Sequence, residues 1–174
     1  MNTKHIWMFL LLAAFTLAHP SCQGEDALPF PDIPILDAVT QGNVTAVQGH
    51  IDAGTDLNVV FVPGAPGVPA YGGSPLHLAV LFEYENIASL LLNNGADINI
   101  RAKDEPGGTP LNWAVWVGNS QMVKFLVEAG ADVNAPDKNG YTPLDSVIVS
   151  QFIKKAGRKQ IAAILRENGG KTRQ

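Results

Sequence analysis

Few residues in this chain have the types and spacing that catalysis or metal binding requires. There are four histidines, His5, His19, His50 and His77. The first two sit in an apolar N-terminal stretch. His50 and His77 do not stand at the helical spacing that places two imidazoles on one metal ion. Cys22 is the single cysteine, so an intrachain disulfide and a cysteine zinc cluster are both excluded. No histidine downstream is close enough in sequence to suggest a thiolate pair. Asp56, Asp97 and Asp132 recur at intervals, and short acidic side chains in that setting hydrogen-bond a turn. The glycines of VPGAPGVPAYGG alternate with prolines and precede no Gly-Lys-Ser/Thr, so they form no phosphate-binding loop. No nucleophile, paired carboxylates or ligand cluster emerges, and neither an enzyme nor a cofactor or metal site is expected.

Charge excludes another class. Lys plus Arg number 12 against 16 Asp plus Glu, a net charge of −4, which offers no footprint for a phosphate backbone. The one basic run is Lys154, Lys155, Arg158 and Lys159. It would suit an anionic partner or headgroups, but a solvated end of the molecule is the favoured reading.

The elements that must position these residues repeat. Ser74-Pro75-Leu76-His77-Leu78-Ala79, Thr109-Pro110-Leu111-Asn112-Trp113-Ala114 and Thr142-Pro143-Leu144-Asp145-Ser146-Val147 align, starting 35 and 33 residues apart. Ser or Thr before Pro is an N-cap followed by proline at the first helical position, where its missing N–H costs nothing. A second helix follows, with apolar residues at i, i+3 and i+4: Ile87, Leu90, Leu91, then Met122, Phe125, Leu126. Gly54, Gly95, Gly130 and Gly169 fall where such helices end in left-handed geometry.

This pattern resembles the ankyrin repeat, whose Thr-Pro-Leu-His-x-Ala signature and 33-residue period are matched by SPLHLA and TPLNWA. The resemblance implies an all-α solenoid of about four helix-turn-helix units with projecting β-turns, spanning 35–171. The units run approximately 35–60, 69–100, 104–136 and 137–171, with insertions at 61–68 and 151–159. The motif histidine survives only at His77, where a structural role is expected; Asn112 and Asp145 replace it. In the family this side chain ties neighbouring turns together, so looser junctions are expected after the last two units.

Ahead of the repeats, Ile6 to Ala18 is nearly all apolar and follows Lys4 and His5, as in an export signal spanning 1–24. The run is shorter than the roughly 20 residues that cross a bilayer. His19-Pro20-Ser21-Cys22 resembles a degenerate bacterial lipoprotein signal, in which Cys22 would be lipidated; ordinary cleavage between Ser21 and Gly24 is the alternative. Residues 25–34 read as a Pro-containing leader. The implied location is extracytoplasmic: periplasm, lipid-anchored at a membrane, or secreted.

In ankyrin solenoids the turn tips and exposed side of the first helices form a concave binding surface. The variable positions of that surface include Tyr71, Leu81, Phe82, Trp116, Val117, Tyr141 and Val149, and the first six make an apolar and aromatic stripe fit for a folded protein. The competing reading is that the 61–69 loop covers these side chains, or that they pack between units. Trp113, by contrast, holds a core position. The expected molecule is a monomer that binds a protein, touches membrane only through Cys22, and serves as an inhibitor, immunity protein or stabiliser of an exported enzyme. A secreted effector acting on a host protein is the alternative, and an enzyme with a pocket built from the insertions comes last.

Overall fold

The computed structural model describes residues 33–62, 72–104, 106–150, 153 and 155–173. Among them are eight helices: α1 (Ile35–Thr40), α2 (Val44–Asp52), α3 (Pro75–Leu81), α4 (Glu85–Asn93), α5 (Pro110–Val117), α6 (Ser120–Glu128), α7 (Pro143–Val149) and α8 (Lys155–Glu167). They pair in sequence order, and the pairs stack. The first helices make one continuous layer, α1–α3–α5–α7, while α2 packs on α4 and α6 on α8. This is an all-α solenoid of four units.

Local chemistry starts the first helices of the last three units. Ser74, Thr109 and Thr142 accept from the N–H three residues on, with proline in the first turn. The third helical residue returns the bond: His77, Asn112 and Asp145 each accept from the capping residue's N–H. Three capping boxes result, with His, Asn and Asp in the place usually filled by Glu or Gln. Helix α1 has Pro34 before it and no side-chain cap. The second helices end at Gly54, Gly95, Gly130 and Gly169, all at positive φ.

An asparagine ladder ties each unit to the next. Asn58 accepts from Asp97 N–H at 2.7 Å, Asn99 from Asp132 N–H at 2.8 Å, and Asn134 from Lys171 N–H at 2.7 Å. Asp56, Asp97 and Asp132 each accept from the N–H two residues later, fixing the asparagine that follows. Their turn role is therefore visible directly.

The buried core falls into two clusters. One lies in the first two units around Leu76, Ile87 and Leu91, the other in the last two around Leu111, Leu126 and Leu165. Leu81 and Phe125 pack against both clusters and form the seam between them. Helix α8 begins at Lys155, so residues 155–159, expected in an insertion, are the opening of the last helix.

Candidate functional site

The three motif positions show what their side chains are for. His77 Nδ1 lies 2.9 Å from the Ser74 hydroxyl and accepts the Ser74 N–H at 3.1 Å, which leaves the proton on Nε2. Nε2 donates to the Gly108 carbonyl of the next unit at 3.2 Å. Burial lowers the imidazole pKa to about 4, against a smaller upward pull from the Gly108 bond. His77 is thus a neutral structural group. Asn112 repeats the arrangement, with Nδ2 reaching the Ala135 carbonyl at 3.5 Å. Asp145 has no proton to give and instead accepts the Arg173 N–H at 3.0 Å. Burial raises the Asp145 pKa, but bonds from Thr142 and Arg173 and the Arg173 charge outweigh it, and the net shift is downward. The junction expected to loosen at Asp145 is closed by the C-terminal tail.

A cleft of about 290 Å³ lies between the third and fourth units, on the side formed by the turns and first helices. Trp113 and Trp116 of α5 form one side, Ser146 of α7 and Ser150 just past its end the other, and the turns contribute Asp104, Pro106 and Asp137. The turns are held in place by backbone pairs, Lys103 N–H to Gly72 O at 3.1 Å and Lys138 N–H to Pro106 O at 3.0 Å. Trp113 is 6% exposed and packs edge-on to His77 with ring centroids 4.8 Å apart. Trp116 is 59% exposed. An aromatic surface that size, left open beside a cleft, is what docking uses.

The other residues expected on the stripe are placed differently. Leu81, one unit before Trp116 in register, is half-buried in the core seam. Phe82 is half-buried against the first cluster and stacked on Tyr84, with centroids 6.1 Å apart. Tyr141 is half-buried, with the Arg173 guanidinium 3.9 Å above its ring. Val117 is half-buried beside Trp116. Tyr71 and Cys22 lie outside the described residues. Val149, a variable position in the sequence reading but left out of the stripe, has the register of Trp116 in the fourth unit and the same 59% exposure. Its offset of 33 residues from Trp116 is the same as that of Thr142 from Thr109.

The family model for ankyrin repeats, three copies of the repeat, matches residues 35–137 and again 100–173. The chain belongs to the ankyrin-repeat family. Ankyrin repeats make it a protein–protein interaction module, of a kind that is generally non-catalytic. No curated protein matched the chain. Among the described residues, no group of three His, Cys, Asp or Glu side chains could hold a metal ion. No helix among them is long and apolar enough to cross a membrane.

Proposed function

We propose that this ankyrin protein is a non-catalytic binding module of an extracytoplasmic compartment, docking a folded protein on its concave face around Trp116. The observation that carries the reading is the 59% exposure of Trp116 at the mouth of a cleft with Trp113 behind it. Val149 extends the same row with an apolar side chain as exposed as Trp116. The N-terminal run Ile6–Ala18 followed by Ser21-Cys22 supports export, with Cys22 as the lipid attachment point. A protein stationed there suits the inhibition, immunity or stabilisation of an exported enzyme.

The experiment is photo-crosslinking in the native host from a probe residue at position 116, compared with one at exposed Lys124 on α6. A single discrete adduct from position 116 and none from 124 supports the reading. Adducts from neither position, or the same pattern from both, would reject the concave face as the docking site.

A further inference from the structure

Ile148 is 51% exposed, although Val80 and Val115, which hold its place in the two preceding units, are 0% exposed. Among the described residues, no helix pair packs on the outer face of α7–α8, where Ile148 lies. A shallow cleft of about 310 Å³ lies on it, with Val147, Ile148 and Ala162 as its apolar part and Arg158, Lys159 and Arg166 around them. Arg158 donates from Nη2 to the Ile153 carbonyl, while its buried Nε has no hydrogen-bond partner. No carboxylate lines this cleft.

The opposite end has the other sign. Asp37 on α1 stands where inner units place Leu78 and Trp113, which are 1% and 6% exposed. Asp52 and Asp56 are exposed in the same unit. No Lys or Arg occurs between Lys4 and Arg101, whereas seven of the 12 lie beyond Ile153, with Glu167 as the only acid there. A repeat stack buries its core by adding neighbours, and here one end offers cations around an apolar step and the other offers carboxylates.

We propose that a second copy of this chain covers the basic end with its acidic first unit, continuing the stack head to tail. Ile148 then gains the cover that Val80 and Val115 already have. Arg158, Lys159 and Arg166 gain Asp37 and Asp52 as counter-charges. This sets aside the monomer expected from sequence and is independent of the concave face. Such a contact joins two different surfaces, so association runs past the dimer into a ring or an open filament.

Sedimentation velocity on the full-length chain tests it. The Debye length falls from about 30 Å at 0.01 M salt to about 3 Å at 1 M. Average mass should climb with concentration at low salt, without a plateau at the dimer, and return to the monomer at 1 M. Lys159→Glu/Arg166→Glu makes both ends acidic, and Asp37→Lys/Asp52→Lys makes both basic. Each alone should associate at least about tenfold more weakly than wild type, and mixing the two should restore association. Trp116→Ala should leave it intact. A constant monomer mass at low salt would overturn the proposal, as would a mixture no larger than its components. Association that persists at 1 M salt also counts against it, because the apolar run Ile6–Ala18 would then be the cause.

Discussion

Trp113 and Trp116 stand three residues apart on one helix, yet the first is 6% exposed and the second 59%. Trp113 meets His77 of the unit before it, while Trp116 rises into the cleft. Trp113→Ala should therefore cost about 3–5 kcal/mol of stability, as buried aromatic deletions do. Trp116→Ala should stay within about 0.5 kcal/mol of wild type, the range of ordinary surface changes. Urea unfolding of both variants measures the contrast. Equal losses would mean that Trp116 is structural, and the docking site would have to be abandoned.

The second-cluster leucines make a stricter test of the core. Leu111 and Leu126 are both completely buried. Each Leu→Ala should cost about 2–5 kcal/mol. Losses below about 1 kcal/mol at both sites in equilibrium unfolding would contradict the packing described.

His77 makes stability depend on pH. Its pKa is about 4 in the folded chain and near 6.5 when unfolded, so the unfolded state takes up the proton first as pH falls. The stabilisation is fully present above pH 6.5 and drains away toward pH 4, on the order of 3 kcal/mol in all. Asp145 adds a loss at lower pH, below 3.8, since its folded pKa is depressed. His77→Gln should flatten the slope between pH 6.5 and 4.5. An unchanged slope in chemical denaturation would show that His77 does not titrate as described.

Glu83 follows the C-cap of α3 with φ +63°, and it is the one described non-glycine residue at positive φ. Gly42 and Gly118 hold the same position in the first and third units, at +68° and +80°. Left-handed geometry costs a side-chain-bearing residue about 1–2 kcal/mol, so Glu83→Gly should raise stability by about 1 kcal/mol. Glu83→Ala should bring no such gain. A melting temperature lower in the glycine variant than in wild type would be the opposite result.

What was legible in the sequence was local or periodic. Ser74, Thr109 and Thr142 announce their helices because an N-cap and its proline act over three residues. Trp113 could be placed in the core because it holds the motif position that Leu78 fills, fully buried, in the unit before it. The fates of Leu81, Phe82 and Tyr141 depended on groups that the repeat does not specify. Leu81 fills a seam between two core clusters, and Phe82 lies against Tyr84. Tyr141 is covered by a tail residue more than thirty positions further along. Asp145 looked like a weakened motif position because its partner, the Arg173 N–H, lies beyond the last repeat. Each of these was settled by a neighbour in space that no period encodes.

The asparagine ladder has a mechanical consequence. Asn58, Asn99 and Asn134 each join one unit to its successor, and no rung spans two junctions. Tension applied along the stack therefore loads the rungs in series, and the weakest gives way while the others hold. Extension would proceed as discrete lengthenings, one unit at a time, and the protein would behave as a ratcheted spring.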